Sequence, residues 1–344
     1  MASRAELERL YQELLDRHGA AVARAFIDAL DDLRTAAEVQ RVVDEIKAGN
    51  IQGALEALHL DPAAYGPLED AIARTYGEGG QSALQALPKR APDGTALVIR
   101  FHARNRRAEA WLRTHSADLV THIIEEQRTA VRQTLTAGME AGRNPRAVAL
   151  DIVGRVNRLT GKREGGILGL TPSQETFVRS ARAELASGDP EALRHYLTRN
   201  RRDKRFDRTV AKAIREEKPV PPEIARKAVD AYTRRLEALR GEMIGRTEAL
   251  SALNAAQYEA LRQAVENGSL QANQIRRVWQ SAGDVRVRHT HRALDGETAG
   301  LDEAFVSPSG ARLRFPGDPS APAAERIGCR CWTMPRVDWF ANVS

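Results

Sequence analysis

Trp279-Gln-Ser-Ala-Gly-Asp284-Val-Arg-Val-Arg288-His-Thr-His291-Arg-Ala-Leu-Asp295-Gly296 is the stretch on which the reading of this chain turns. It runs on through Phe305 and Phe315-Pro-Gly-Asp318 and closes on Glu325-Arg-Ile-Gly-Cys329-Arg330-Cys331-Trp332. The His, Cys, Trp and turn-forming Gly residues that could build a specific site are concentrated here. The hydrophobic pattern also changes character at this point. Ile275 to Ser281 and Val285-Arg-Val287 are short strand-like runs, and Arg312-Leu-Arg-Phe315 alternates charged and apolar residues at period two, as a half-buried strand does. Cys329-Arg-Cys-Trp-Thr-Met334 alternates likewise, which would put both sulfurs on one face and Arg330 with Trp332 on the other.

Upstream the pattern is helical. Leu7, Leu10, Leu14, Val22, Phe26, Leu30 and Leu33 recur at helical spacing over residues 3–34. Shorter segments follow, cut by Gly49-Asn50, Asp61-Pro62, Gly66-Pro67 and Gly79-Gly80. Pro88 to Gly94 is expected to be a loop and a subdomain joint. A long helix is predicted from about Arg107 to Ala141, and the next from Asn144-Pro145 to Gly161. Gly165-Gly166-Ile-Leu-Gly169 is expected to bend. Thr171-Pro172-Ser-Gln174 combines a capping Thr, a Pro at the first helical position and a Gln that can reach back, and Asp189-Pro190-Glu191 repeats that logic. A last long helix is predicted from about Glu223 to Glu266, ended by Asn267-Gly268. The fold class expected is α+β: a mostly α-helical N-terminal body with a small, loop-rich α+β C-terminal domain. Three regions are expected, at 1–90, 91–240 (carrying the basic segment) and 241–344.

The chain has 344 residues, long enough for two domains. Hydrophobic residues make up 42% and aromatics only 5%, so helices packed through Ala and Leu are favoured over an aromatic core. The formal charge of +6 permits contact with phosphates without requiring it. It comes from many Arg offset by many Asp and Glu, and Arg199, Arg201, Arg202, Lys204, Arg205 and Arg208 head a locally basic run that extends to Lys218. The run is either a solvated helical face or a patch for DNA, double-stranded and read without sequence preference, or for an acidic partner surface. With Phe206 as its only aromatic, it is poorly equipped to stack on single strands. The only two cysteines form one Cys-x-Cys, which bridges only with strain, so a reducing compartment is expected. No apolar run approaches the ~20 residues that span a bilayer, and the N-terminus begins an amphipathic pattern rather than a signal peptide. A soluble protein made in the cytoplasm, with no membrane partner, is expected.

His289, His291, Cys329 and Cys331 form the candidate metal set, since imidazole and thiolate suit Zn2+. Against it, Cys-x-Cys departs from the usual Cys-x2-Cys knuckle, and the two histidines share a face only on a strand. The alternative is that these residues pack a loop-rich domain together, and no cofactor is then needed. An acid–base pair of His291 with Asp295 is also conceivable, but Leu-Asp-Gly is more simply a turn, with Gly296 at positive φ. The roughly forty residues between His291 and the cysteines bury little. Ordering costs about 1–2 kcal/mol per residue, so the two ends must be fastened to each other. His291 is therefore expected beside at least one cysteine, with Asp295 or Arg288 in the same cluster.

Taken together, these motifs resemble the C-terminal domain of the phage Mu protein F-like family, the minor head (head morphogenesis) proteins of tailed bacteriophages. The signature falls on Trp279, Asp284, Val287, Arg288, His291, Leu294, Asp295, Gly296, Phe305, Pro316, Gly317, Asp318, Cys329, Arg330 and Cys331. Ile244-Gly245-Arg246-Thr247-Glu248 with Asn254 is similar to the helix that precedes it in the family. Two departures stand out: His291 lies three rather than two residues past Arg288, and Gly245 replaces the usual Ala. The resemblance covers roughly the last hundred residues. It implies a non-enzymatic virion protein, a minor capsid component of a Mu-like phage or prophage. Such a protein would be present in few copies, associated with the portal and other head proteins, and would aid head assembly or DNA delivery. It would sit in the host cytoplasm during assembly and in the virion head afterwards. The alternative from a different class is a DNA-processing enzyme or toxin-like effector using the His291 region.

Overall fold

The computed structural model describes residues 3–341. In chain order the helices are α1 (Arg4–Ala36), α2 (Val39–Lys47), α3 (Ile51–Glu56), α4 (Gly66–Ala83), α5 (Arg106–Glu140) and α6 (Pro145–Val153). A two-stranded hairpin follows, β1 (Arg155–Val156) and β2 (Arg163–Glu164), then α7 (Pro172–Ser187), α8 (Pro190–Thr198), α9 (Asp207–Glu216) and α10 (Pro222–Glu266). The C-terminal region contains β3 (Ile275–Gln280), α11 (His289–Ala293), β4 (Thr298–Gly300), β5 (Phe305–Val306), β6 (Arg312–Leu313), α12 (Ala323–Arg326) and β7 (Trp332–Val337). The fold is thus mostly helical, with small antiparallel sheets confined largely to the C-terminal region. No helix among the described residues is long and apolar enough to cross a membrane.

Local chemistry sets many of the boundaries. Thr171 Oγ1 accepts from Gln174 N while Gln174 Oε1 accepts from Thr171 N, a reciprocal capping box with Pro172 at the first helical position. Asp189 caps α8 by accepting from Glu191 N and Ala192 N, and Asn144 caps α6 in the same way. The helix expected to reach Gly161 stops at Val153. Gly154 adopts φ +83°, and a Cβ there would stand 2.6 Å from the Glu164 carbonyl oxygen, so the chain leaves the helix and folds back as β1–β2.

Backbone contacts divide the chain into two compact units, each drawing on separated segments rather than on the three consecutive regions expected. One comprises Ile27–Gly66 and Leu119–Gly241. Its interior is tied by buried polar contacts: Tyr65 Oη donates to Gln127 Oε1 at 2.9 Å, Gln127 Nε2 donates to the Leu168 carbonyl at 2.9 Å, and Arg34 pairs with Glu237.

The other unit comprises Met1–Phe26, Pro67–Asp118 and Glu242–Ser344, and carries the signature. The Pro88–Gly94 loop, expected as a joint, lies inside this unit. β3 is the centre of its three-stranded antiparallel sheet, ordered β4–β3–β7, with Trp279 opposite Thr333 and Gln280 opposite Trp332. The core beneath contains Trp279, Leu294, Phe305, Leu313, Cys329 and Cys331, but also Leu14 and Leu15 of α1 and Ala249, Leu250 and Leu253 of α10. The C-terminal residues therefore have no hydrophobic core of their own, because the flat side of a sheet this small needs helices to cover it.

Three of the expected strands differ. Val285–Val287 is a turn, with Val287 N donating to the Asp284 carbonyl and Val285 fully exposed to solvent. The alternating run at 312–315 pairs only through Arg312 and Leu313, because Phe315 opens the Pro-Gly turn. The cysteines precede β7 instead of lying in it. Gly328 at φ +67° bends the chain just ahead of them.

Candidate functional site

His291 sits in the single turn of α11, and its backbone N–H closes that turn on the Arg288 carbonyl. The Leu294-Asp295-Gly296 turn then carries the chain back to β3. Gly296, at φ +83°, donates to the Trp279 carbonyl at 2.9 Å, and Trp279 N donates to the Glu297 carbonyl at 2.8 Å. This docking places the His291 ring edge-on to the Trp279 indole, with ring centroids 5.1 Å apart and planes at 78°. Phe305 packs on the other indole contact in the same T-shaped manner at 5.2 Å.

The far end of the signature folds onto this ring. His291 Nδ1 lies 3.3 Å from Cys329 Sγ and 3.5 Å from Cys331 Sγ. All three residues are buried, His291 at 1%, Cys329 at 4% and Cys331 at 2% exposure, and both cysteines are free thiols. On the opposite side of the ring, Nε2 stands 3.0 Å from Glu325 Oε2, near enough for an ion pair but not aligned for a hydrogen bond. Glu325 is itself buried and accepts from Thr290 Oγ1 at 2.9 Å and Ser309 Oγ at 2.6 Å. Burial opposes its ionisation, but those two hydrogen bonds, with His291 and Arg288 nearby, outweigh it and hold the carboxyl below its usual range. The hydrogen bond from Cys331 draws the Cys329 thiol down despite its burial, so Cys329 is the sulfur of the pair more disposed to ionise.

The remaining signature residues fasten loops. Asp284 and Arg330 form a two-pronged ion pair at 2.6 and 2.7 Å, and this contact pulls the Asp284 carboxyl far below its ordinary value. Arg288 Nη2 donates to the Ile327 carbonyl at 2.7 Å. Asp318 is fully buried and accepts from Arg314 N, Nε and Nη2 and from Ser320 N and Oγ. In α10, Thr247 Oγ1 accepts from Gly328 N at 3.1 Å, just ahead of the cysteines, while buried Glu248 pairs with His115 of α5 at 2.6 Å. The polar triplet of that helix thus sends two side chains to different partners.

Several candidates lie elsewhere. His289 is exposed at the first position of α11 and is not among the gathered donors, because two residues of helix turn it some 200° away from His291. Asp295 does not face His291 as an acid–base partner. Its Oδ1 accepts from Ser281 N at 2.7 Å, so it ties the turn to the end of β3. Within the basic run, Arg199 is held by Glu184 at 2.6 Å, Arg202 by Asp207 at 2.9 Å and Arg205 by Asp203 at 2.7 Å. The last contact holds Asp203 down to about 2. Arg201, Lys204 and Arg208 are exposed and make no ion pair among the described residues.

One residue with a large structural role carried no sequence signal. Arg277 of β3 is 1% exposed, and its guanidinium donates to the carbonyls of Gly300, Arg314 and Glu303 while lying 5.1 Å over the Tyr258 ring and 5.2 Å over the Phe305 ring. Burial pulls it down to about 10. In sequence it is one of two adjacent arginines, and nothing there distinguishes it from Arg276.

No curated protein and no solved structure shows a significant match to the chain. A family model does, over the segment that begins in the basic run and ends in β7 past the cysteine turn. Residues 204–334 match the family described as Phage Mu protein F like protein, and the resemblance is confined to that segment.

Proposed function

We propose that this chain is a minor structural protein of the head of a Mu-like tailed phage or prophage, associating with the portal and aiding head assembly or DNA delivery. On this reading it is made in the host cytoplasm and retained in the virion head. The observation that carries the proposal is the family match over residues 204–334, which supplies the phage-head class. The burial of the signature within that segment agrees with it. Trp279, His291, Asp318, Cys329 and Cys331 are all turned inward, with the His291 Nδ1 against both sulfurs and Asp318 held by Arg314 and Ser320. A catalytic constellation needs reactive atoms converging on a space that a substrate can enter. These residues instead hold turns against one another, which suits a rigid module presented to an assembling partner.

The portal and any double-stranded DNA are the partners this reading names. Capture of an affinity-tagged copy from assembling heads should bring down the portal protein in stoichiometric association. Heads that assemble and package normally without this chain, together with no portal in the captured material, would overturn the proposal.

A further inference from the structure

We propose that His291 Nδ1, Cys329 Sγ and Cys331 Sγ hold a Zn2+ ion, with Glu325 fixing the orientation of the histidine from its other nitrogen. This goes beyond the head-protein reading and does not depend on it.

The geometry makes the first argument. The three donor atoms lie within 4.8 Å of one another, and the two sulfur–nitrogen distances are 3.3 and 3.5 Å. Zn–S bonds of ~2.3 Å and Zn–N bonds of ~2.0–2.1 Å in a tetrahedral arrangement separate sulfur from nitrogen by ~3.6 Å. The side chains already stand at the spacing of ligands around one small ion. The donor set is also selective: two thiolates and an imidazole suit Zn2+, whereas Mg2+ and Ca2+ require oxygen.

The second argument concerns hydrogen bonding. A neutral imidazole nitrogen has one lone pair, so Nδ1 cannot accept well from two thiols at once. As a zinc ligand, Nδ1 faces the ion, and the ring proton is fixed on Nε2. That atom is buried, has no hydrogen bond and lies 3.0 Å from Glu325 Oε2. A carboxylate behind a ligating histidine is the usual arrangement that sets its tautomer and strengthens it as a ligand. Glu325 is in turn held in place by Thr290 and Ser309.

Charge supplies the third. Two thiolates neutralise Zn2+, so the ion and its sulfurs can be buried among Trp279, Leu294 and Phe305 without net charge, whereas two buried thiolates alone could not. The cysteine turn is shaped accordingly. Cys331 N donates to Cys329 Sγ at 3.4 Å, an N–H···S contact that stabilises the thiolate. The fourth position falls to a water molecule or to a neighbouring side chain. Asn254, whose Nδ2 lies 3.5 Å from the Cys331 carbonyl and whose Oδ1 is buried without a hydrogen bond, stands beside the turn. The ion would join α11 to the turn ahead of β7 across thirty-eight residues of loop-rich chain.

The test uses the full-length chain, purified without chelators. Elemental analysis should find about one zinc per chain, released to a chromogenic chelator in parallel with exposure of both thiols. Stripping the metal should lower the melting temperature, and added Zn2+ should restore it. Co2+ in its place should give the visible and near-ultraviolet bands of tetrahedral thiolate coordination. Glu325→Gln, which keeps the shape of the side chain, should weaken zinc binding about 10–100-fold while leaving the stoichiometry unchanged at saturating metal. Since Cys329→Ser or His291→Gln could prevent folding, the wild-type measurements carry the decision. Folded wild-type protein that takes up no zinc on incubation, with a melting temperature indifferent to Zn2+ and chelator, would overturn the proposal. So would stoichiometric recovery of a different metal.

Discussion

Gly245 of α10 packs directly on Gly19 of α1, so closely that a Cβ at position 245 would overlap the Gly19 carbonyl oxygen and stand 2.9 Å from both the Cβ and the backbone N of Ala23. Two glycines facing each other let the helix backbones meet, and this contact brings Leu14 and Leu15 over the sheet that carries the signature. Because the obstacle is backbone rather than a flexible side chain, Gly245→Ala must push the helices apart. The substitution should destabilise the unit by about 1–3 kcal/mol, even though Ala is the better helix former. Thermal denaturation checks this, and a melting temperature equal to or above wild type would show that the helix contact is looser than described.

Arg277 is predicted to be the least replaceable residue of β3. Arg277→Leu keeps apolar bulk but leaves the carbonyls of Gly300, Arg314 and Glu303 without their donor, at about 1–3 kcal/mol for each buried group. A loss of at least ~3 kcal/mol is expected. Arg277→Lys should recover little of it, because one ammonium cannot reproduce the planar fork. Denaturant titration of the two variants measures this. A fully stable lysine variant would mean that charge alone, not geometry, is what the loop needs.

Acid should weaken the same unit through Asp318. Burial alone would raise its pKa, but the side-chain and backbone hydrogen bonds from Arg314, together with that from Ser320 N, win and hold it below the usual value. A carboxyl whose folded pKa is depressed contributes stability at every pH above its unfolded value, near 3.9, and loses it as pH falls through the folded value. The wild-type stability curve should therefore steepen below about pH 4. Asp318→Asn should be less stable at neutral pH and lose less on acidification. Parallel curves for the two proteins would remove Asp318 as the cause.

Any affinity for double-stranded DNA is expected to reside in Arg201, Lys204 and Arg208, since Arg199, Arg202 and Arg205 already have carboxylate partners. Replacing those three with Glu should reduce the slope of log affinity against log salt by up to ~0.9 for each lost phosphate contact, without regard to sequence. Changing Arg199, whose guanidinium is bound to Glu184 and Ser180, should instead lower stability. Filter binding at several salt concentrations distinguishes the two. A salt slope unaltered by the triple substitution would clear the segment of any DNA role.

What depends on neighbours in the chain was readable from the residues alone. Apolar spacing and breaker residues placed α1, α5 and α10, and Thr171, Gln174 and Asp189 announced their caps, because each acts on backbone within a turn of itself. The meeting of His291 with the cysteines was also legible, since loops that bury little can stay ordered only if their ends are joined. Tertiary structure alone decided the partners. His291 turns its second nitrogen to Glu325 rather than to Asp295, four residues away, and His289 is carried off by a helical turn where a strand would have kept it. Arg277 is buried while Arg276 is not, and half of the basic run is neutralised by carboxylates. Which charge meets which depends on how distant segments close over one another, and the residue types around each position do not encode that. The shared core makes the same point. Nothing near Trp279 says that Leu14, some 265 positions earlier, packs in the same cluster, because a three-stranded sheet takes whatever apolar helix faces the fold delivers to it.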